Sequence, residues 1–493
     1  KSADILPDRT PLAETMASVH IDDENNTWYD RLVTPLNACS LETFAPISDG
    51  PELTPQDGKT GISGPESRGL LVPLVIGCYQ LNEQTKEESA TEENESPLES
   101  QDNDTNADDV LVEKKSSRSG ELRLYMVPST SPASNEEPDN DGKANEALRF
   151  NDAACVIQME SGVLDGKWRK RGKTHQSSFD GSYENMPLFA SACASGRIHL
   201  HSLEKSTLPP SQSWRLSPVA STDETSSADG TSLCLSLAWN DFINVYGDKS
   251  PNDTSDQIVS SYSDGTVALH KISCGQSEKE SEEIDSHGGN SRYNISIEET
   301  HRWNAHSMFG CPSEVWTCSF LRGDKNAVLS GADDCSLKIW DIRQTQRPTH
   351  KIGDSEFGSG VTAISPHPTL SHMFAVGSYD EYVRIYDHRK MDQPMAKVCV
   401  GGGVWRIKWH TSCQEDETRG CGKMLVAAMH GGCRVINVPT LDNSSNGAID
   451  TVEMMSKFTA HESMAYGADW VCEAAASCSF YDQQAFLWDP YNQ

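Results

Sequence analysis

Residues 329–341 read Leu329-Ser-Gly-Ala-Asp-Asp334-Cys-Ser-Leu-Lys-Ile-Trp340-Asp341. A small-residue run enters a two-aspartate turn, and an apolar alternation leaves it, as in a β-hairpin. The turn residue Asp334 stands six positions before the strand-closing Trp340. The same spacing recurs at Ser195/His201, Asp264/His270, Asp380/Tyr386, Gly431/Asn437 and Asp482/Trp488. A second spacing lies about a strand's length upstream, where a channel-side position is followed four residues later by an aromatic. It reads Ser40/Phe44, Leu164/Trp168, Leu235/Trp239, Trp316/Phe320, Thr362/Pro366, Trp405/Trp409 and Tyr466/Trp470, with Pro366 alone breaking the aromatic rule. Together the two spacings mark seven four-stranded units, the count of a closed β-propeller.

The expected fold is therefore all-β, a seven-bladed WD-repeat β-propeller with long disordered inserts in the N-terminal half. Residues 1–36 form an N-terminal segment whose Trp28–Pro35 stretch is the candidate to close the last blade, since a ring must hide its edges. Residues 37–493 form the propeller, with polar inserts at about 82–119, 204–230, 273–299 and 440–456. The first is rich in Glu, Asp, Ser and Asn and has too few apolar residues to offset ordering entropy.

The 493 residues carry 73 Asp and Glu against 41 Lys and Arg, a net charge of −32. That balance argues against unaided nucleic-acid binding, which needs a basic footprint. No stretch approaches the roughly 18 apolar residues of a membrane-spanning helix. The sequence starts at Lys1 rather than Met, so preceding residues are expected, and Lys1–Asp30 lacks the apolar core of a signal peptide. The 15 cysteines show no Cys-x-x-Cys pair and no zinc spacing. Cys39, Cys78, Cys193, Cys234, Cys318, Cys433 and Cys478 fall in or beside strands, as small buried hydrophobes do. A reducing compartment follows, so the expected location is the cytoplasm, with the nucleus also open. No metal and no cofactor is expected.

In WD-type blades two sets of loops share the top face. One leads into the inner strand, and the other joins the two middle strands. On blades four to seven these loops gather Glu314, Gly401–Gly403, His461-Glu-Ser463, Tyr379-Asp380, Met429-His-Gly431 and Tyr481-Asp482. The inner strands begin with Trp316, Trp405-Arg406 and Tyr466. His306 and His461 occupy places where a histidine bonds the turn aspartate, here Asp334 and Asp482, although Cys478 stands in the usual serine slot of the second. His430 has no evident fold role in a turn flanked by glycine. Several aromatic faces around one opening suit a quaternary ammonium. Neither a Gly-x-Ser-x-Gly elbow nor a phosphate loop occurs.

Gly401-Gly-Gly-Val-Trp-Arg-Ile-Lys-Trp-His410, Ala427-Ala-Met-His-Gly-Gly432, His461-Glu-Ser-Met-Ala-Tyr-Gly-Ala-Asp-Trp470 and Cys478-Ser-Phe-Tyr-Asp482 resemble the diphthine methylesterase family, the WD-repeat proteins of diphthamide biosynthesis. Ser313-Glu-Val-Trp316 and Leu74–Leu81 fit the same pattern. The resemblance implies hydrolysis of the methyl ester of methylated diphthine on translation elongation factor 2, giving diphthine for the final amidation. That substrate is a modified histidine with a trimethylammonium and a carboxylate ester. No settled catalytic set comes with the resemblance. The residues themselves suggest His430, His461, Ser463 and Arg406 for catalysis, and Trp316, Trp405, Tyr466, Glu314 and Tyr481 for substrate binding. The elongation factor is the expected partner of a monomeric enzyme. The alternative is a non-catalytic WD-repeat adaptor that docks partners by its rims.

Overall fold

Each unit marked by the two spacings becomes one antiparallel sheet, and in blades one to six the strands follow chain order from the inner strand outward. The structure, a computed structural model, describes residues 20–21, 27–45, 47–48, 70–82, 117–129, 148–170, 183–205, 213–223, 232–241, 256–276, 293–410, 422–439 and 452–491. The inner strands of blades one to seven are Asn37–Thr43, Val163–Trp168, Cys234–Trp239, Thr317–Phe320, Val361–Pro366, Arg406–Trp409 and Ala465–Val471. They touch in a closed cycle, each meeting the next and the seventh meeting the first. The fold is an all-β, seven-bladed propeller.

Blade seven takes strands from both ends of the chain. Thr27–Val33 pairs antiparallel with Gln484–Trp488, in register from Trp28 opposite Trp488 to Val33 opposite Gln484. Thr34 continues the tie through its backbone N–H and its hydroxyl, both donated to the Gln483 carbonyl oxygen at 2.7 and 3.1 Å.

The aromatic spacing has a physical cause. Trp239, Trp409 and Trp470 close their inner strands and are buried. Each donates its indole N–H to a carbonyl of a neighbouring inner strand: Trp239 to Lys167 (2.9 Å), Trp409 to Ser365 (3.0 Å) and Trp470 to Lys408 (3.0 Å). The ring fills the wedge between blades while its polar atom stays bonded. Burying roughly 200 Å² of ring is worth up to about 5 kcal/mol by area, an upper bound. The seven cysteines placed in strands are buried free thiols.

The insert boundaries need correction. Most of 82–119, 204–230, 273–299 and 440–456 lies outside the described residues, but strands cut into every one. Within 204–230, Trp214–Ser221 is the outer strand of blade two, paired with Ile198–Lys205. Its Pro218 is tolerated because an outer strand leaves one edge unbonded, and the register shifts between Leu200 and His201 beside it. Within 273–299, Tyr293–Asn304 is the outer strand of blade three. Ile295 and Ile297 point inward there between polar neighbours, an alternation that the surrounding charge masks. Blade six likewise ends in Glu453–Phe458.

Candidate functional site

The loops of blades four to seven bring a run of aromatic rings to the top of the channel. Trp316 and Trp405 stand 5.7 Å apart between ring centroids, and Tyr379 lies 6.2 and 6.1 Å from them. Tyr466 meets Trp405 edge-on at 4.9 Å, then Phe480 at 5.6 Å. Phe480 in turn contacts Tyr79 and the exposed Tyr481. The chain of contacts joins Trp316, Trp405, Tyr466 and Tyr481, and adds Tyr379 and Phe480. Those two follow the second strand of their blades, in the place that Asp333 takes in blade four.

Acid surrounds the Trp316 end. The Trp316 indole N–H points to Asp333 at 3.5 Å. Asp333 donates its backbone N–H to the Glu314 carbonyl oxygen at 3.0 Å. Partial burial and the Asp333 charge raise the Glu314 carboxyl above its usual range. Aromatic faces beside carboxylates make a setting for an organic cation.

Blade six supplies the turn beside these rings. His430 is exposed at its tip. Met429, at φ 43°, precedes it. The Met429 carbonyl accepts the Ala465 N–H at 3.1 Å, which stitches the turn to the start of blade seven's inner strand. His430 thus stands over the same join as Ser463 and Tyr466. Gly401–Gly403 lies directly against this turn. A Cβ on Gly402 would meet the Ala428 carbonyl oxygen at 2.1 Å, and one on Gly403 would meet the Met429 sulfur at 3.0 Å. The glycines are required by that close approach.

Two of the sequence-derived catalytic residues are engaged elsewhere. His461 is buried, and its Nε2 shares a 2.8 Å hydrogen bond with the Ser477 hydroxyl, which also accepts the Trp488 indole N–H at 3.1 Å. Its Nδ1 faces Asp482 at 3.9 Å. Blade four builds the same set from Asp334, His306, Ser330 and Trp340. His461 therefore belongs to the frame of blade seven. The serine is Ser477, one residue before the position the sequence suggested. Arg406 reaches down the channel, where its guanidinium bonds Asp165 at 3.1 Å.

That channel holds a buried ion network that the spacings did not reveal. Lys167 meets both Glu42 and Asp165 at 2.7 Å. Lys408 meets Glu42, and Asp469 at 3.4 Å. Burial favours the neutral form of Asp165, but Arg406 and Lys167 outweigh it and hold the carboxyl well below its usual range. Burial likewise opposes the charge on Lys408, and Asp469 and Glu42 overcome it. The network ties blades one, two, six and seven across the axis. Its charges are paired, which commits Arg406 and Asp469 to the frame. Among the described residues, no cluster of His, Cys, Asp and Glu has the arrangement of a metal site.

Residues 298–341 and 347–387 match the model of the WD domain, G-beta repeat. The diphthine methyltransferase homolog of Dictyostelium discoideum is 28% identical over 352 residues, covering 68% of this chain and 78% of that protein. The diphthine methyltransferase of Mus musculus is 31% identical over 286 residues, covering 57% of this chain and 50% of the mouse protein. The match thus spans only about half the length of the mouse relative. A chain of a solved mitotic checkpoint complex aligns at a TM-score of 0.41 with 14% identity, over 68% of this chain and 78% of that one. At that score it adds nothing to the strand pairing already described.

Proposed function

We propose, from its similarity to the diphthine methyltransferase relatives, that this chain is a cytoplasmic esterase of diphthamide biosynthesis. It removes the methyl ester from methylated diphthine on translation elongation factor 2 and leaves diphthine for amidation. The kinship supports a role in diphthamide biosynthesis. The direction of the methyl chemistry is our own reading, since the name of the relatives speaks of methyl transfer.

The observation that carries the reading is the aromatic wall of Trp316, Tyr379, Trp405 and Tyr466 beside Glu314 and Asp333. A trimethylammonium has no N–H to donate, so aromatic faces and nearby carboxylates are what can hold it. With the cation there, the ester falls toward the His430 turn. His430 takes a proton from water, and the hydroxide adds to the ester carbonyl. The tetrahedral intermediate expels methoxide, which takes the proton from His430 and departs as methanol, and the carboxylic acid left behind loses its own proton to solvent to become the carboxylate. Ser463 offers the covalent route, in which its hydroxyl attacks first and water then releases the acyl group.

The test incubates the full chain with elongation factor carrying the methyl ester, without a methyl donor. The expected result is released methanol and a substrate mass lowered by one methylene. His430→Ala should keep substrate capture and lose turnover. Ser463→Ala separates the two routes: retained turnover selects water attack. No mass change with the ester substrate would leave the adaptor reading. Methyl gain supplied by S-adenosylmethionine would replace hydrolysis with transfer.

A further inference from the structure

Blade six breaks a pattern that blades four and five keep. In the third strand of each, one basic residue faces the same position of the second strand: Lys338 opposite Ser330, Arg384 opposite Val376 and Arg434 opposite Val426. Each donates to a backbone carbonyl of the loop leading into its blade. Lys338 Nζ bonds Ala305 at 2.8 Å, Arg384 Nη2 bonds Glu356 at 2.7 Å and Arg434 Nε bonds Val400 at 3.0 Å. Blades four and five then pair the cation with the turn carboxylate four residues earlier, Asp334 at 3.3 Å and Asp380 at 2.6 Å. Four residues before Arg434 the chain has His430.

Among the described residues, the exchange leaves the Arg434 guanidinium without a counter-ion. Arg434 is 6% exposed. Nη1 donates to the Cys433 carbonyl at 2.9 Å. Nη2 makes no hydrogen bond, and no carboxylate stands at ion-pair distance, among the described residues. A buried charge in that state is costly unless something pairs with it. The space around Nη2 is lined by glycine. A Cβ on Gly431 would lie 3.2 Å from it, and a Cβ on the exposed Gly401 3.9 Å. The same loop continues through Gly403 to Tyr379, where a Cβ on Gly403 would sit 3.3 Å from the tyrosine ring. One short loop therefore links the open donor to the aromatic wall.

We propose that Arg434 Nη2, in the gap between Gly401 and Gly431, is a carboxylate subsite for a ligand whose quaternary ammonium rests on the Trp316–Trp405 wall. The ligand class is an α-trimethylammonio carboxylate. The assignment rests on the esterase reading in one respect, that the carboxylate is the reaction product. The site then holds the acid more tightly than the ester it came from.

The probes are 2-(trimethylammonio)butanoate and its methyl ester, titrated into the full chain by calorimetry. The acid should bind roughly tenfold or more tighter than the ester, the scale of a charge-assisted hydrogen bond. Arg434→Gln should bring the acid down to the affinity of the ester and leave the ester unchanged. Should that variant fail to fold, His430→Asp carries the test, because it restores the turn carboxylate of blades four and five and keeps the arginine. It should erase the preference for acid, while His430→Asn preserves it. Equal binding of acid and ester by the unaltered chain, no binding of either, or a preference that survives in Arg434→Gln or His430→Asp would each overturn the subsite. Hydrolysis without acid preference would sink the subsite alone. Acid preference in a chain that never hydrolyses the ester would sink the esterase reading alone.

Discussion

Trp405 touches Trp316, Tyr379 and Tyr466, and its ring lies 5.6 Å from the Arg406 guanidinium carbon. What it offers a ligand is a π face, so its size and its aromaticity can be separated. Trp405→Ala should weaken tetramethylammonium binding roughly three- to thirty-fold more than Trp405→Phe, since cation–π attraction is worth about 0.5–2 kcal/mol and persists on a phenyl face. Tyr466→Phe should cost less than Tyr466→Ala for the same reason. Titration of both pairs, with circular dichroism to check the fold, decides it; equal losses would assign the contact to packing. The inner-strand spacing made Trp316, Trp405 and Tyr466 legible, because it fixes which residue stands at the channel mouth. Tyr379 and Phe480 carry no such mark. Their slot is Asp333 in blade four and Met429 in blade six, so no repeated residue type marks it. Arg434 was hidden for a different reason. Its meaning lies in a carboxylate that is absent four residues earlier, and that shows only once three blades are laid in register.

In blades four to seven the strands are pinned from the loop leading into the blade, and the pin differs from one blade to the next. In blade four the Ser330 and Trp340 partners are 10 residues apart, whereas Ser477 and Trp488 in blade seven are 11 apart. That one-residue difference is why a count at blade-four spacing puts Cys478, not Ser477, in the serine slot. Buried histidines, one of them in the blade-seven pin, make the fold sensitive to acid. Burial, opposed by Asp482, pushes His461 down to about 4. Burial also takes His270 to about 4 and His201 to about 3. An unfolded histidine titrates near 6.5. Between those values the unfolded chain binds protons that the native chain refuses, so stability is full above about pH 6.5 and is lost as the pH falls toward 4. Melting temperature should be level near pH 7–8 and decline from about pH 6.5 downward, as each histidine withdraws at most about 1.4 kcal/mol of stability per pH unit. His461→Gln should make that decline shallower whatever it does to stability at neutral pH. A melting temperature unchanged down to pH 5 would contradict the buried neutral histidines.

At the scale of the molecule the ring is held shut by a strand that starts far from the sheet it completes. The count of seven came from local spacings, which short turns make legible; the closure depends on contacts between residues more than 400 positions apart, for which the weak alternation in Trp28–Pro35 gave only a candidate. Thr27–Val33 covers the edge of Gln484–Trp488, and Asp30 accepts the Phe150 N–H at 2.8 Å, tying that edge to the connection that enters blade one's outer strand, Cys155–Met159. Leu32 adds its side chain to the core between blades seven and one. Removing residues 1–33 should therefore lower the melting temperature by roughly 5 °C or more and expose an unpaired strand edge that promotes association. Residues 83–116 provide the matched control. They are the longest acidic and serine-rich stretch of the sequence, and their flanking strands, Leu70–Asn82 and Ser117–Ser129, stay in register to the last pair, Asn82 opposite Ser117. Chain ends so placed can be joined by a two-residue Asn-Gly turn. That excision should shift the melting temperature by no more than a degree or two and leave methanol release from the modified elongation factor unchanged. Calorimetry and light scattering on both deletions would decide the matter. If the 83–116 excision collapsed the fold while the 1–33 deletion left it intact, the closure assigned to Thr27–Val33 would be wrong.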